Sequence, residues 1–242
     1  MGPGQEISGG SAANTIAGMA QLGGTCAFIG QVADDQLGAV FAHDIRAGGI
    51  RFDTAARAGA PTTGRCLIFV TPDGQRTMNT FLGASHYLPA EALDRDLIAD
   101  AAYLYIEGYL WDPEEPRAAM RAAIDVAKAA GRKVAFTTSA EFVIDRHRAD
   151  FHALIDAGLI DLIFANEAEL MCLTETSDVE AAIAAIAPKV ETLVVTLSEK
   201  GALAIRGGDR TTVAAEPIDK VVDTTGAGDL FAAGFLYGYA TG

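Results

Sequence analysis

Segments typical of buried strands alternate with segments typical of helices through the middle of this 242-residue chain. Residues 103–107 and 134–137 are predicted strands, and the alanine-rich residues 117–130 between them form a predicted helix that ends at Gly131. A helix that joins two strands in this way typically makes them parallel neighbours in one sheet. The alternation therefore predicts an α/β fold with a mainly parallel central sheet flanked by helices.

The same pattern continues toward the C-terminus. Predicted strands cover residues 159–165 and 193–197, and predicted helices cover residues 167–173 and 179–187. The apolar run in the second of these strands is typical of a strand buried on both faces. Because half of the residues are hydrophobic, the chain is long enough to bury one sizeable core, and we expect a single domain over residues 1–242.

Residues 62–82 follow a different pattern. Two β-rich runs, 65–70 and 76–81, flank a Pro-Asp-Gly turn within residues 71–75, which is typical of a hairpin. Together with residues 25–32, this hairpin is expected to form a small sheet that projects from the central one.

Charge and cysteine usage narrow the class of partner and compartment. The formal net charge is −14 at pH 7, and phosphate-backbone binding needs a basic face, so neither a nucleic acid nor an anionic membrane is an expected partner. No stretch approaches the ~18 apolar residues of a membrane helix. The three scattered cysteines, Cys26, Cys66 and Cys172, suit free thiols in a reducing compartment, which predicts a cytoplasmic protein.

A glycine-rich segment near the C-terminus is the clearest candidate catalytic element. Gly226, Ala227 and Gly228 follow an extended run and lead directly into a helical pattern. Small residues there let backbone N–H groups point at one spot, and the helix dipole favours an anion. Asp229 beside them is placed to accept the proton of a hydroxyl that attacks a bound phosphoryl group. The alternative is that Asp229 caps the helix and the glycines only form a tight turn.

A second small-residue segment lies near the N-terminus. Gly9 and Gly10 allow close backbone approach to a ligand, and Asn14 stands at the start of a predicted helix that ends at residues 23–24. The asparagine amide both donates and accepts hydrogen bonds, which suits a vicinal diol. The alternative is a small-residue helix packed closely on a sheet, with Asn14 as its cap.

Four motifs resemble the signatures of the PfkB, or ribokinase-like, family of carbohydrate and nucleoside kinases. In the family's order, they are Gly-Gly-Ser-Ala-Ala-Asn at 9–14, Asn-Glu-Ala-Glu at 166–169, Thr-Leu-Ser-Glu-Lys-Gly at 196–201 and Asp-Thr-Thr-Gly-Ala-Gly-Asp at 223–229. The resemblance extends over essentially the whole chain. It implies a ribokinase-like fold and transfer of the γ-phosphoryl group of ATP to a primary hydroxyl.

The resemblance also implies roles for the residues of the two glycine-rich motifs. Asp229 would be the base, and residues 226–228 would supply the anion hole. Gly9, Gly10 and Asn14 would hold the hydroxyls of the substrate.

The two middle motifs would serve the nucleotide and its metal. Asn166 and Glu169 would organise Mg²⁺ and phosphate, largely through water, although alone this pair is more typical of a polar helix start. Thr196, Ser198 and Gly201 would line the nucleotide. By itself, this segment is more typical of a strand followed by a turn, and Ser198 stands where many relatives have glycine.

Further implications concern a cation, the lid and the chain ends. In many members a monovalent cation such as K⁺ sits beside the anion hole, and Asp223 and Thr225 are the corresponding positions.

The elements around 25–32 and 62–82 would form a β-sheet lid over the acceptor, through which a homodimer can form. Compared with the family pattern, the sequence starts directly at the first signature and ends soon after Asp229, so we expect a version truncated at both ends.

The acceptor is expected to be a small molecule. Gly-Gly-Ser in the first signature and residues 82–84 look more like the adenosine-kinase branch, which favours an adenosine-like nucleoside. One alternative is a ribokinase- or fructokinase-like sugar kinase, and a second is a non-catalytic ligand-binding protein on the same fold. An apolar lid underside around Phe69, Phe81 and Leu82 would suit a nucleobase, whereas polar groups would suit a bare sugar.

Overall fold

The computed structural model of the chain describes residues 4–242 and divides into two compact units. The first unit combines the residues up to Leu88 with Lys220–Gly242, and the second unit is Pro89–Asp219. The expected single domain over residues 1–242 stays a prediction, and its first three residues lie outside the described part. In residues 4–242, no helix has both the length and the apolar character needed to cross a bilayer.

Helices and strands alternate along much of the chain. The helices are α1 (Ser11–Gln21), α2 (Gln36–Ala47), α3 (Arg95–Asp100), α4 (Glu114–Ala129), α5 (Glu141–Asp156), α6 (Glu167–Thr174), α7 (Val179–Ile186) and α8 (Ala227–Thr241). The strands are β1 (Arg65–Val70), β2 (Arg76–Phe81), β3 (Tyr103–Glu107), β4 (Lys133–Thr137), β5 (Leu162–Asn166), β6 (Thr192–Thr196), β7 (Ala202–Arg206) and β8 (Asp209–Val213).

The second unit is built on a six-stranded sheet in the order β3-β4-β5-β6-β7-β8. The first four strands pair in parallel, whereas β7 and β8 are antiparallel. Val134, Ile163 and Val194 on the middle strands are almost fully buried, as expected for strands covered on both faces. The predicted α/β fold with a mainly parallel sheet is therefore confirmed.

The first unit contains the packed pair α1 and α8 together with α2. An aromatic cluster of Phe28, Phe41 and Phe52, with ring centroids 5.6–5.8 Å apart, fixes α2 against the chain that precedes and follows it. Asp35 caps α2 by accepting a hydrogen bond from the backbone of Gly38, which satisfies an otherwise unpaired first-turn amide.

The predicted hairpin is present as a two-stranded antiparallel sheet of β1 and β2. Residues 25–32, expected to join it, pair instead with the chain at Arg51 through an isolated parallel bridge at Ala27, and the next residue, Ala33, forms a second such bridge with Arg57. The cause is burial, because Phe28 in this segment packs in the aromatic cluster beneath α2. The expectation that residues 25–32 extend the hairpin's sheet was wrong.

Candidate active site

The first turns of α1 and α8 lie side by side in the first unit. Ser11 contacts Asp229 at this end, and further along a Cβ added to Gly18 would lie only 2.9 Å from the Cβ of Ala233. The two helices therefore run parallel with their N-termini together. Because each helix dipole is positive at its N-terminus, the pair stabilises an anion at this end.

Glycine residues precede both helices. Gly10 is the N-cap of α1 with φ 122°, and Gly226 is the N-cap of α8 with φ 75°. These are backbone conformations that favour glycine, and a glycine N-cap offers no side chain to the first amides of its helix. Of the first-turn amides of α8, that of Ala227 donates to the carbonyl oxygen of Thr224 at 3.3 Å. Those of Gly228 and Asp229 have no acceptor within the helix and are available to an anion.

Asp229 stands in the first turn of α8 and reaches across to α1. Ser11 Oγ donates to Asp229 Oδ1 at 2.8 Å, and Asn14 Nδ2 donates to Oδ2 at 2.9 Å. Both carboxylate oxygens are thus hydrogen-bonded to another helix, while Gly226 occupies the N-cap position. The alternative interpretation of Asp229 as the helix cap is therefore wrong.

Asn14 and the paired glycines come together at the same end of α1. Gly10 rather than Asn14 is the N-cap of α1, so the alternative of Asn14 as a cap is also wrong. A Cβ on Gly9 would lie 3.8 Å from Asn14 Oδ1, and a Cβ on Gly226 would lie 3.7 Å from Asn14 Nδ2. The structure thus brings the glycines of both terminal motifs close to one asparagine amide.

The hairpin contacts the segment that leads into α8. The guanidinium of Arg76, on β2, donates to Thr224 Oγ1, and a Cβ on Gly74 in the turn would lie 2.7 Å from Val221 Cγ1. Arg76 adds a fixed positive charge beside the anion-favouring helix terminus. Arg76 was not predicted from the sequence, because only the fold brings this strand to residues 221–224.

Strand pairing assigns the hairpin side chains to two faces. Residues opposite each other in an antiparallel pair share a face, as do residues two apart on a strand. We define the Arg76 face by its six members, Cys66, Ile68, Val70, Arg76, Met78 and Thr80. This face carries the side chain that reaches Thr224, so it is the face turned toward the anion-favouring terminus.

Phe69 and Phe81 lie on the opposite face of the hairpin. The Phe81 ring lies beneath the guanidinium of Arg65, its cross-strand partner, with 5.3 Å from Arg65 Cζ to the ring centroid. Phe69 and Phe81, whose place on the lid underside would suit a nucleobase, therefore lie on the face opposite to Arg76, and their part in a lid stays a prediction.

Asp223 and Thr225 form a local turn just before α8. The backbone N–H of Thr225 donates to Asp223 Oδ1 at 2.8 Å. Thr225 Oγ1 is buried and makes no hydrogen bond of normal geometry within residues 4–242, although the Thr225 hydroxyl and amide together lower the pKa of the Asp223 carboxyl. The expected cation site at Asp223 and Thr225 depends on this hydroxyl oxygen.

In the second unit, Asn166 and Thr196 end neighbouring parallel strands. They are paired residues of β5 and β6, and Thr138 directly follows β4, the strand on the other side of β5. In α/β sheets, ligands typically bind at the carboxyl ends of the parallel strands. The motif residues Asn166 and Thr196 therefore lie at the edge where a ligand is expected.

Asn166 and Glu169 form a capping box at the start of α6. Asn166 Oδ1 accepts from the backbone of Glu169 at 2.8 Å, and Glu169 Oε2 accepts from the backbone of Asn166 at 3.2 Å and from Thr138 Oγ1 at 2.8 Å. The interpretation as a polar helix start is thus confirmed. Burial raises the pKa of the Glu169 carboxyl, and the Thr138 hydrogen bond offsets part of this effect.

Ser198 and Gly201 form the turn between β6 and β7. Both have positive φ, 53° and 99°, and a Cβ on Gly201 would lie 2.0 Å from the carbonyl oxygen of Val213. Glycine is therefore required at 201 by backbone packing. The interpretation of this segment as a strand followed by a turn is confirmed, while Ser198 is exposed at the turn.

Direct metal ligation has little support in either unit. Among the described residues, no three His, Cys, Asp or Glu side chains are arranged to hold one ion. Glu169 instead has its carboxylate oxygens engaged by Thr138 and Asn166. Asn166 and Glu169 would therefore hold a hydrated Mg²⁺ through water rather than as direct ligands.

Comparison with known proteins gives consistent similarities. The pfkB family carbohydrate kinase profile matches residues 4–242. The solved structure of an adenosine kinase from Sinorhizobium meliloti is 50% identical with a TM-score of 0.97, and the match covers all of this chain and 74% of that one. Fructokinase-2 from Solanum habrochaites is 32% identical over 96% of this chain and 72% of its own length. A fructokinase from Klebsiella pneumoniae is 29% identical over 97% of this chain and 78% of its own length.

The family match spans both units and all four motifs on which the resemblance depends. The mixed sheet and the small hairpin are also those of the solved relative, given the TM-score of 0.97. The chain therefore belongs to the pfkB family of carbohydrate kinases, phosphotransferases that act on a hydroxyl group.

Proposed function

We propose that this protein transfers the γ-phosphoryl group of ATP to a primary hydroxyl of an adenosine-like nucleoside. The observation that carries the proposal is Asp229, a carboxylate held across two parallel helix N-termini instead of capping its own helix. A helix cap needs no contact with a second helix. A general base beside an anion-binding terminus needs a fixed orientation, which these contacts supply.

In the proposed reaction, Asp229 accepts the proton of the acceptor hydroxyl. The new O–P bond forms as the bond to the leaving ADP oxygen breaks, and negative charge grows on the phosphoryl oxygens. The amides of residues 226–228 and the Arg76 guanidinium stabilise that charge. Gly9, Gly10 and Asn14 are proposed to hold the acceptor's hydroxyls, so that the reacting oxygen is next to Asp229.

The residues of the second unit are proposed to serve ATP and Mg²⁺. Thr196, Ser198 and Gly201 would contact the nucleotide, and Asn166 and Glu169 would hold water molecules of the hydrated metal. Bound Mg²⁺ supplies positive charge against the phosphate oxygens. The hydrogen bonds around Glu169 support this indirect role, because they fix the carboxylate without making it a direct ligand.

A monovalent cation such as K⁺ is proposed beside the anion hole. Support comes from the buried Thr225 Oγ1, which makes no hydrogen bond of normal geometry in the described chain, and from the neighbouring Asp223 carboxylate. Hydroxyl and carboxylate oxygens are suitable donors for a hard cation. With the cation in place, the positive charge beside the phosphoryl site would increase.

The nucleoside is favoured by the chemistry of the Arg76 face. Ile68 and Met78 pair across the hairpin on this face and are exposed, 40% and 48%, and such apolar side chains suit a nucleobase. The adenosine kinase relative supports the same choice. A sugar acceptor is the second candidate, supported by the fructokinase relatives and by the polar pair Cys66 and Thr80 on this face.

A homodimer through the hairpin and a cytoplasmic location complete the proposal. Leu67 and Phe69, on the face away from Arg76, are 61% and 49% exposed, and exposed apolar side chains on a hairpin suit pairing with a second copy.

The cytoplasmic location is supported by the three cysteines, which are free thiols and suit a reducing compartment.

The test is ADP release from ATP with adenosine, ribose and fructose as acceptors. The expected result is Mg²⁺-dependent release that is fastest with adenosine. Fastest release with fructose or ribose supports the sugar kinase and rejects the nucleoside. Saturable binding of an acceptor without release of ADP would support the alternative of a non-catalytic binding protein, and would reject the kinase activity proposed for this chain.

A further inference from the structure

Ser11 is a hydrogen-bond partner of Asp229 and was not among the site residues predicted from the sequence. Its hydroxyl donates to Asp229 Oδ1 at 2.8 Å, across 218 residues of sequence. Ser11 and Asn14 are three residues apart on α1, so their side chains share one helix face. Each binds a different oxygen of the same carboxylate.

Two donors on two oxygens fix the plane of a carboxylate. One donor alone leaves the group free to rotate about its terminal torsion, which is broad for aspartate. Each carboxylate oxygen has two acceptor positions, so one position on each oxygen is left for an incoming hydroxyl. The arrangement orients the carboxylate without using up its capacity to accept a proton.

The two donors differ in what else they are proposed to do. Asn14 is proposed to hold the acceptor's hydroxyls, which draws its amide toward the substrate. Ser11 begins α1 and is only partly exposed. Because the Asn14 amide has two N–H donors, it can bind an acceptor hydroxyl with one and Asp229 Oδ2 with the other, while the Ser11 hydroxyl is committed to Asp229 Oδ1.

We propose that Ser11 is a positioning residue that orients Asp229 for proton abstraction. This inference rests on the proposed function. During transfer, the acceptor's hydroxyl proton moves to Asp229 as its oxygen bonds to the γ-phosphorus of ATP, and ADP leaves with the electrons of the broken P–O bond. Ser11 keeps its own proton throughout and acts only through Asp229.

Kinetics of Ser11→Ala test the role. The expected result is a fall in kcat of about 10- to 100-fold, the range for a lost hydrogen bond to a charged group, with little change in the acceptor's KM. Ser11→Thr keeps the hydroxyl and is expected to recover most of the lost rate. The matched control is Ser8→Ala, because the Ser8 hydroxyl binds Asp44 instead of Asp229 and its loss should leave kcat unchanged.

The Asp229→Asn background separates action through Asp229 from a general structural effect. If Ser11 acts through the base, adding Ser11→Ala there changes the residual kcat by less than about twofold, because coupled residues are not additive. The full loss repeated in that background would overturn the inference. So would a raised acceptor KM with unchanged kcat, which would mean a direct substrate contact.

Stability tests the contact even if the wild-type chain shows no turnover. Urea midpoints are measured for the wild type, Ser11→Ala, Asp229→Ala and the double variant. A coupled pair gives a double variant less destabilised than the sum of the single variants. Additive midpoints would overturn the contact. An inactive wild type with coupled midpoints would reject the proposed function and leave Ser11 as a residue that orients Asp229.

Discussion

Gly18 of α1 and Ala233 of α8 approach so closely that a Cβ on Gly18 would lie 2.9 Å from that of Ala233. This contact sets the separation of two parallel helices whose first turns carry Ser11, Asn14 and Asp229. The 2.8–2.9 Å hydrogen bonds at the helix N-termini depend on that separation. A small residue in the middle of α1 therefore controls geometry at its end.

Gly18→Ala is expected to destabilise the protein by about 1 kcal/mol or more, because overpacking outweighs the gain in helix propensity. Turnover should fall with it, since the helices must separate. The matched control is Gly234→Ala on the exposed side of α8, where an added Cβ meets nothing within 4 Å. That variant should gain roughly 0.5–1 kcal/mol. Chemical denaturation measures the free energy of unfolding of both variants. Equal changes of the same sign in the two variants would contradict the packing argument.

Asp229→Asn is expected to lower kcat by about 10²–10⁴, the usual range for a lost general base, while the fold is retained. The amide cannot take up the acceptor's proton. Steady-state ADP release measures the loss, and circular dichroism checks the fold. Asp125→Asn on the exposed side of α4 is the control for removing one negative charge. A kcat within a few-fold of wild type would show that Asp229 has only a structural role.

Arg76→Ala is expected to lower kcat/KM by roughly tenfold or more, because a charged donor to developing phosphoryl charge is lost. Arg76→Lys should recover part of the activity by keeping the charge without the planar guanidinium. Arg65→Ala is the matched control, since Arg65 lies on the other face of the hairpin, against Phe81. Equal losses from the two alanine variants would mean that the hairpin, and not the charge facing Thr224, is what matters.

Much of the fold follows from local patterns. The strand β3 and the helices α6 and α7 coincide with their predictions to within one residue. The strand β5 begins at Leu162 rather than 159, because the left-handed Gly158, with φ 66°, closes α5 and the backbone N–H of Leu159 still donates to Leu154 in that helix. The antiparallel β7 and β8 were not predicted. The strand β8 is exposed along its whole length and lacks an apolar pattern.

The candidate site was predictable in its residues and not in its contacts. The two glycine-rich motifs singled out Asn14 and Asp229, but their hydrogen bond spans 215 residues. Helix packing creates that proximity, and a single sequence carries no direct signal of it. The facing of the hairpin side chains depends on strand register, which places Ile68 on the same face as Arg76 and Phe69 on the opposite face.

Glu169 offers a pH-dependent test in the second unit. Burial raises the pKa of its carboxyl above the usual 4.5, so the charged form is less stable in the folded protein than in the unfolded chain. The stability that Glu169 contributes is therefore fully present at pH values below its pKa in the unfolded chain. It is lost as pH rises through its pKa in the folded protein.

Glu169→Gln removes this titration and keeps an oxygen that can accept from Thr138. The stability advantage of the wild type over the variant is expected to shrink as pH rises from about 4.5 toward neutrality, as measured by urea midpoints across that range.

If Glu169 also organises hydrated Mg²⁺, the variant needs more Mg²⁺ for half-maximal ADP release. Glu167→Gln, in the same helix turn but outside the capping box, is the control. A pH-independent difference in midpoints contradicts the raised pKa, and an unchanged Mg²⁺ requirement removes Glu169 from the metal's surroundings.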